Sequence, residues 1–492
     1  MRKLTFKHGL AVTISALALS VATGGVALAA PKKAAAGSNA NAALIQLVKD
    51  QQAKIDALEQ RLSAVEAKAA APAVPAETQE AVQASAQAVE THTAEIQAVQ
   101  AQILQLQDGQ QGAVKVKWTD GGPEFTSGDG FFTFHPRGRV QIDASTTRGS
   151  NFDARNISGT EAASLRLGAE GSMGKLGYKV EADFADEVVS IKEAYLSYDS
   201  TLFGHKTEYY LGNKLNDRTI DGSTSGVSLP FMERSVVANV VAPQKGFFGL
   251  GVMTKVYGDS WHASVSLTGG PISQAGTDRS PLTLAGRAHW NPVKTKDGFV
   301  HLGVWGFSED LAPTTATINK TSYIGPGFND NLKVSASSLA NPEHDNGYGY
   351  ELGGAKGSFW AFAEYGVRDI SLQVGPNVKQ KAASVYAGYL LTGERPGFST
   401  RSGIWSGVHV TRPFTAGGPG AFEVTSRYDK IDFTDVANGG EGDAVTVGLN
   451  WYLNDWARLM TNYVHWTTEN KVGSFKGKDT GDSLSIRGEV AF

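Results

Sequence analysis

The last nine residues of this 492-residue chain alternate apolar with polar side chains and end on an aromatic residue. Successive side chains of a strand point to opposite faces. One face of this segment carries Leu484, Ile486, Val490 and Phe492, and the other carries Ser485, Arg487 and Glu489. Such a strand suits an outer-membrane barrel, where lipid covers one face and a polar lumen the other. The edge strand of a soluble sandwich has the same pattern, so the nine residues leave both open.

The first 29 residues have the features of a secretory signal peptide. A basic start at Arg2, Lys3 and Lys7 precedes an apolar run from 10 to 21, and small residues follow at 27–29. A transmembrane helix is the alternative, but polar residues interrupt the run well short of the ~20 apolar residues that a span requires. Losing three positive charges and no negative ones would change the formal charge from −4 to −7. A negative mature chain argues against nucleic-acid binding.

The composition of the chain favours a closed sheet. No cysteine is present, so disulfides cannot stabilise an exported protein of this size. Glycine is abundant, with 57 residues, and the apolar residues are spread thinly rather than gathered in long runs. Soluble α/β enzymes usually have longer buried strands. A sheet that closes on itself leaves no unpaired edge and needs one apolar face for each strand.

Residues 30–111 predict an α-helical coiled coil in the periplasm. The segment is rich in Ala, Gln and Glu and has no glycine from 40 to 108. Heptad spacing places Leu44, Val48, Gln51, Ile55, Leu58, Leu62 and Val65 on one seam, and Val82, Val89, Ile96 and Ile103 on a second seam after a proline-containing break. A helix lying on a globular domain is the alternative, but it would need a broader apolar face. A trimeric stalk or tether is the simplest form, although polar residues in the seams leave the oligomer number open.

From 112 onward, short strand-like segments are separated by Gly, Asp, Asn and Pro. In 131–144 the apolar residues alternate with charged ones, and in 384–392 we expect Tyr386 and Tyr389 to belong to the aromatic girdles at the lipid interfaces. About 380 residues, at roughly 20 to 25 for each strand and its connection, predict about 16 strands and a channel-sized barrel. The predicted fold is therefore all-β: an antiparallel transmembrane β-barrel over 112–492, preceded by a signal peptide at 1–29 and the coiled-coil segment at 30–111.

Four ordered motifs resemble the phosphate-selective porin O and P family of bacterial outer membranes. They are Gly-Arg-Val-Gln-Ile-Asp at 138–143, Leu-Pro-Phe-Met-Glu-Arg-Ser at 229–235, Tyr-Leu-Leu-Thr-Gly-Glu-Arg-Pro at 389–396 and Gly-Leu-Asn-Trp-Tyr-Leu-Asn at 448–454. The resemblance covers about 113–492. It implies a trimeric barrel of 16 strands, short periplasmic turns, a pore narrowed by an infolded loop, and passive uptake of anions such as phosphate. It also implies that Phe492 is the end recognised by the outer-membrane assembly machinery.

An anion pore needs basic side chains spaced along its lumen, so that the ion passes from one site to the next. Arginine suits phosphate because its planar fork donates two charge-assisted hydrogen bonds. The candidates placed on the lumen face by alternation are Arg137, Arg139, Arg166, Lys179, Lys255, Arg287, Arg427 and Arg487. Carboxylates share these faces, and pairing with a neighbouring carboxylate is the alternative for each of them.

The constriction candidates are Lys214, Arg218 and Arg234, in the segment between Gly212 and Arg234, which includes a Ser/Thr/Gly-rich stretch ending at Ser228 and could fold inward. Asp217 and Asp221 would oppose their charge. An outer loop in contact with water is the alternative, which the sequence leaves open. The mixed signs also leave the degree of phosphate preference open.

No catalytic residues, metal site or cofactor site are predicted. The histidines are scattered, and the chain has neither a His-Glu-x-x-His helix nor a Gly-x-x-x-x-Gly-Lys phosphate loop. The Gly-Ser-Thr-Ser-Gly run at 222–226 lacks the strand-to-helix context of a nucleophile elbow. We therefore expect a trimeric outer-membrane pore for small anions, with lipid as its surroundings. A general porin that also tethers the outer membrane to the cell wall through its coiled coil is the alternative.

Overall fold

The computed structural model describes residues 113–492, apart from 120, 186, 273–278 and 320, together with scattered positions between 60 and 101. The chain divides into two units, Met1–Gly109 and Gln110–Phe492. In the first unit the described positions, such as Gln60 and Glu90, are helical. The predicted signal peptide and the apolar seams of the predicted coiled coil lie outside the described residues.

The second unit is built almost entirely of strands. Their bounds are β1 (Lys115–Thr119), β2 (Gly122–Thr126), β3 (Phe132–Arg148), β4 (Ser158–Met173), β5 (Leu176–Asp183), β6 (Ser190–Leu202), β7 (His205–Leu215), β8 (Phe248–Tyr257), β9 (Trp261–Thr268), β10 (Leu282–Lys294), β11 (Gly298–Asp310), β12 (Thr317–Ile318), β13 (Ser322–Tyr323), β14 (Lys333–Val334), β15 (Leu339–Ala340), β16 (Pro342–Lys356), β17 (Phe359–Leu372), β18 (Val378–Leu390), β19 (Phe398–Ser399), β20 (Ile404–Trp405), β21 (Ala421–Asp432), β22 (Glu441–Tyr452), β23 (Ala457–Asn470) and β24 (Gly477–Ala491).

Short helical turns interrupt the connections between these strands. They are α1 (Ile220–Ser223), α2 (Val236–Val240) and 3₁₀ turns at Asp153–Arg155, Gly226–Ser228 and Phe414–Ala416. No helix in the described part of the chain is long and apolar enough to cross a membrane.

Sixteen of the described strands close into an antiparallel barrel. They are β3 to β11, β16 to β18 and β21 to β24, and each pairs with the next of these strands along the chain. β24 returns to pair with β3, from Asp482↔Arg148 to Ala491↔Arg139. The predicted barrel of about 16 strands is thereby confirmed, and its closure leaves no unpaired barrel edge.

Alternation of side chains separates an apolar outer face from a polar lumen. On β24, Leu484 and Ile486 are 43% and 49% exposed, whereas Arg487 is 5% exposed and lies inside. The same rule corrects one expectation about the aromatic girdles. Tyr389 lies on the outer face, but Tyr386 is buried in the lumen, where its hydroxyl donates to Glu364 at 2.9 Å. Residues three apart on a strand necessarily face opposite sides.

The two ends of the barrel differ in their connections. At one end, here called the tight-turn end, β4–β5, β6–β7 and β16–β17 are joined by two-residue turns. The opposite end, here called the loop end, carries the long connections 216–247 and 311–341. The infolded loop (216–247) enters the lumen, and the cover loop (311–341) packs against it.

A third long connection enters the lumen from the tight-turn end. This inner segment (391–420) joins β18 to β21 and includes β19 and β20. The resemblance stated above implies short turns at this end, and this connection departs from that expectation. Its side chains meet the infolded loop inside the barrel, as described below.

The carboxy-terminal residue lies at the seam where the barrel closes. The backbone of Phe492 exchanges two hydrogen bonds with that of Gly138, at 2.7 and 2.9 Å. The Phe492 ring lies over Gly138, where a Cβ would be 2.2 Å from Cζ of the ring. The β1–β2 hairpin continues this edge, because β2 pairs with β3 at Phe134 and Thr133, beyond the end of β24.

Gly138→Ala will displace the Phe492 ring and lower the yield of folded barrel. Overpacking of this kind typically costs about 1–3 kcal/mol. Gly488→Ala is the matched control, because a Cβ there would meet only Cδ2 of Leu459, at an ordinary 3.8 Å. The measurement is the heat-modifiable fraction after refolding into detergent. Equal yields for the two variants would mean that packing of the Phe492 ring on Gly138 does not contribute to barrel closure.

Candidate functional site

Side chains of the barrel wall hold the backbone of the infolded loop inside the lumen. Four of its carbonyls, within five residues, each accept a hydrogen bond from the wall. The pairs are Arg458 Nη1 to Leu229 O at 2.8 Å, Asn450 Nδ2 to Pro230 O at 2.9 Å, Arg487 Nη1 to Met232 O at 2.7 Å and Arg427 Nη1 to Glu233 O at 2.8 Å. Buried backbone groups need such partners. These donors therefore fix the position of the loop.

The three anchoring arginines are also neutralised by carboxylates of the wall. The pairs are Arg458–Glu489 at 2.7 Å, Arg487–Asp143 at 2.7 Å and Arg427–Asp429 at 2.6 Å. A guanidinium has five donors, so it can bind a carboxylate and a carbonyl at once. Two of the predicted anion contacts, Arg427 and Arg487, are therefore engaged in holding the loop.

The infolded loop also brings its own apolar core into the lumen. Val237, Val240 and Val241 are fully buried and pack in one cluster with Trp305 and Phe307 of the wall and with side chains of the cover loop. At its start, the amide of Ile220 donates to Glu364 at 2.7 Å. Burial of apolar side chains on the lumen side explains why one half of the barrel is filled rather than open.

The inner segment meets the infolded loop inside the barrel. Trp405 Nε1 donates to Asp221 Oδ1 and its backbone amide donates to Thr224 Oγ1, both at 3.1 Å. Arg287 holds the same segment to the wall by donating to Ser402 O at 3.0 Å, and it pairs with Glu351 at 2.7 Å. Two connections that enter from opposite ends thus form one constriction.

The remaining open side of the lumen lies along β3 to β7. Lumen-facing side chains there keep some exposure, with Arg166 and Lys179 at 17% and Glu170 at 38%, whereas Arg287 and Glu351 on the opposite wall are at 0%. Water therefore reaches the wall that the infolded loop does not cover.

Most of the predicted basic residues on this open side are paired with carboxylates. The pairs are Arg137–Glu170 at 3.8 Å, Arg166–Glu181 at 2.7 Å, Arg166–Asp183 at 2.8 Å, Lys179–Glu193 at 2.7 Å, Lys214–Glu193 at 3.9 Å and Lys255–Asp217 at 2.7 Å. Lys214 also lies over the rings of Tyr195 and Tyr210, at 4.5 and 4.6 Å. The alternative of carboxylate pairing therefore holds for these residues.

Two predicted residues, Arg139 and Arg234, form no ion pair within the described part of the chain. Arg139 Nη2 donates to Ser225 Oγ at 2.7 Å, and Arg234 Nη1 donates to the carbonyl of Asp221. Burial lowers the pKa of Arg234 to about 10. The Arg166 charge also lowers this pKa, whereas the Asp221 carboxylate raises it. Arg139 stands opposite Arg166 in the register of β3 and β4. The charges of Arg166 and Arg234 both act on it. Three guanidinium groups thus converge between β3, β4 and the infolded loop.

Arg218, the third constriction candidate, is enclosed by its own loop. It is 1% exposed and donates to the carbonyls of Ala238 at 2.9 Å and Val241 at 3.1 Å. Its guanidinium lies over the Phe247 ring at 4.6 Å. Burial lowers its pKa to about 9, and the Arg234 charge lowers it further. These contacts stabilise the loop from within.

Sequence reasoning missed several residues that the fold brings together. Arg155 is fully buried and joins the β3–β4 connection to Asp479 at 2.8 Å, and Arg368 pairs with Asp345. His262, His289 and His301 lie on three neighbouring strands, with ring centroids 5.5 and 5.1 Å apart. The described residues include no group of His, Asp and Glu suited to hold a metal ion. In the sequence, only alternation along each strand could have indicated that these three histidines, here called the histidine row, share one face of the sheet.

Comparisons with known proteins agree with this geometry. The family model described as phosphate-selective porin O and P matches residues 134–492. An uncharacterized protein of Caulobacter vibrioides is 26% identical over 370 residues, 71% of each chain. Porin O of Pseudomonas aeruginosa is 26% identical over 418 residues, 77% of this chain and 93% of that one.

Solved structures with a similar backbone include a porin and an outer membrane channel. An anion-selective porin from Comamonas acidovorans has a TM-score of 0.46 and 15% identity, over 73% of this chain and 100% of that one. The outer membrane channel DcaP of Acinetobacter baumannii has a TM-score of 0.45 and 14% identity, over 75% of this chain and 99% of that one.

Trp405→Ala will increase single-channel conductance, because it removes the direct contact between the inner segment and the infolded loop. Truncation of a buried Trp typically lowers the free energy of unfolding by about 3–5 kcal/mol. We therefore expect the contact between the two segments to be lost. Trp290→Ala is the control, since Trp290 is exposed on β10 and belongs to neither segment. Planar-bilayer recordings of both folded variants provide the measurement. An unchanged conductance for Trp405→Ala would mean that the junction does not limit the pore.

Proposed function

The chain belongs to the phosphate-selective porin O and P family, and from this premise we propose that it conducts small anions, phosphate or related oxyanions, by passive diffusion. Family membership and the closed barrel indicate an outer-membrane channel rather than an enzyme. The finer proposal concerns which solute passes and which side chains select it. It involves no covalent chemistry and no cofactor.

The observation that carries the proposal is the convergence of Arg139, Arg166 and Arg234 at the constriction. Arg139 and Arg234 form no direct ion pair among the described residues, so carboxylates such as Asp221 offset the charge of Arg234 only in part. Arg166 is held by two carboxylates, at 2.7 and 2.8 Å, which fix its position. In a narrow site of low dielectric constant, uncancelled positive charge attracts anions and repels cations.

An oxyanion fits these groups better than a spherical ion does. A guanidinium presents two parallel donors that match two oxygens of one phosphate. Neutral acceptors now occupy the two arginines that lack an ion pair: a hydroxyl for Arg139 and a carbonyl for Arg234. An oxyanion can replace these partners at little cost and then pass on, which conduction requires.

The assembly proposed for this pore is a homotrimer in the outer membrane. The heptad seams in 40–106 favour a coiled coil on the periplasmic side, and residues 1–29 would direct export before they are removed. Phe492, seated at the closing seam, would be the end that the assembly machinery recognises. The lumen candidates Arg137, Lys179, Lys255, Arg287, Arg427 and Arg487 would act mainly through their carboxylate partners, by shaping the wall.

Replacing the two unpaired arginines tests the anion pore. In a KCl gradient, Arg139→Gln and Arg234→Gln will each lower the anion-to-cation permeability ratio, and the double variant will lower it most. Phosphate block of the chloride current will weaken roughly tenfold in each, which corresponds to one lost charge-assisted hydrogen bond. Arg395→Gln is the control, since Arg395 is exposed and pairs with Asp297 at a turn. A cation-selective parent channel, or chloride current indifferent to phosphate, would contradict the proposal.

A general porin that also tethers the outer membrane to the cell wall is the second candidate, favoured by the heptad seams. Deleting 31–110 separates the roles. If the tether is correct, conductance will persist while envelope attachment, measured by co-sedimentation with peptidoglycan, will be lost. Loss of trimers on native gels would instead assign the segment to assembly.

A further inference from the structure

A cavity of about 380 Å³ lies between the infolded loop, the cover loop and β21. Glu233, Arg234 and Asn239 line it from the infolded loop, and Thr321 and Ser322 line it from the cover loop. It adjoins the arginine constriction, because Arg234 belongs to both. A volume of this size holds a small organic solute rather than a single ion.

The cavity presents one unpaired positive and one incompletely paired negative charge. Arg234 and Glu233 both line it but form no ion pair with each other. Arg427 and Asp429 also line it, yet these two pair at 2.6 Å and cancel. The charges available to a ligand are therefore one guanidinium and one carboxylate.

Glu233 is poorly compensated by its neighbours. Its Oε1 accepts from the amide of Gly327 at 3.3 Å and lies 3.7 Å from Arg487 Nη2. That guanidinium is already engaged with both oxygens of Asp143, at 2.7 Å each. Burial raises the pKa of Glu233. The Asp143 charge also raises this pKa, whereas the Arg487 charge lowers it. A cationic group on a ligand would supply the missing partner.

The cavity lining also offers hydrogen bonds to a polar solute. They come from the Asn239 amide of the infolded loop and the Thr321 hydroxyl of the cover loop. The Oγ of the neighbouring Ser322 is buried, so a solute in the cavity does not reach it.

We propose that this cavity binds small zwitterions that carry an ammonium and a carboxylate, such as α-amino acids, before they enter the constriction. The carboxylate of the ligand pairs with Arg234, and its ammonium pairs with Glu233. Net neutrality of the solute matches the net neutrality of the cavity, so neither charge is left uncompensated. The inference rests on the proposed pore and adds a second class of solute to it.

L-serine and glycerate form a matched pair of probes, because they differ in an ammonium against a hydroxyl. In planar bilayers, L-serine will block the chloride current of the parent channel. Glu233→Gln will raise the half-blocking concentration of serine about tenfold and leave block by glycerate unchanged or stronger. Arg234→Gln will weaken block by both. Glu441→Gln, which alters an exposed carboxylate paired with Lys430, will change neither.

Two outcomes would overturn the inference: serine leaves the parent current unchanged, or Glu233→Gln shifts block by serine and glycerate equally. Folding of each variant is checked by its heat-modifiable mobility. Reversal potentials recorded on the same channels test anion selectivity separately. If only the zwitterion proposal is wrong, the channel will still be anion-selective. If the anion-pore proposal is wrong, the reversal potentials will show no anion selectivity.

Discussion

The structure depends on paired arginine and carboxylate groups that hold a loop backbone inside a barrel. A loop that leaves the surface must find partners for its carbonyls and amides. Here Arg458, Arg487 and Arg427 donate to three of those carbonyls while each binds a carboxylate of the wall. Breaking one buried pair by removing its carboxylate costs about 3–5 kcal/mol, because the other charge is left uncompensated. The position of the constriction therefore depends on these pairs.

This arrangement divides the lumen into two halves with different roles. The infolded loop and the inner segment cover the wall from β16 to β24. Charged side chains of this wall pair with each other and bind the backbone of the covering segments. The wall from β3 to β7 remains in contact with water, and its charges are arranged as pairs. The proposed anion selectivity then rests on the few basic groups without an ion pair, Arg139 and Arg234, beside the fixed charge of Arg166. Few uncancelled charges can attract an anion without trapping it.

Much of the fold could be predicted because alternation along a strand is a local property. The outward positions of Leu484, Ile486 and Val490 on β24 follow from it, whereas the strand number follows from the length of 112–492, and both predictions are confirmed. The error at Tyr386 has the same origin, since an aromatic near a strand end is assigned to lipid or lumen only by its register. The inner segment was missed because its motif at 389–396 resembles a family feature but says nothing of where the chain goes next. The histidine row was missed because its members are brought together by pairing of separate strands.

The sequence by itself determined a cysteine-free chain whose strands have one lipid face, and the set of basic side chains that face the lumen; export is its prediction from residues 1–29. Tertiary structure alone decided which of those side chains are free to meet a solute. Arg139 and Arg487 have the same alternation and stand on adjacent strands, yet one meets a serine hydroxyl and the other a carboxylate and a loop carbonyl. Periodicity fixes the face of a strand, whereas charge compensation depends on contacts between residues hundreds of positions apart. Only the path of the loops through the lumen sets those contacts.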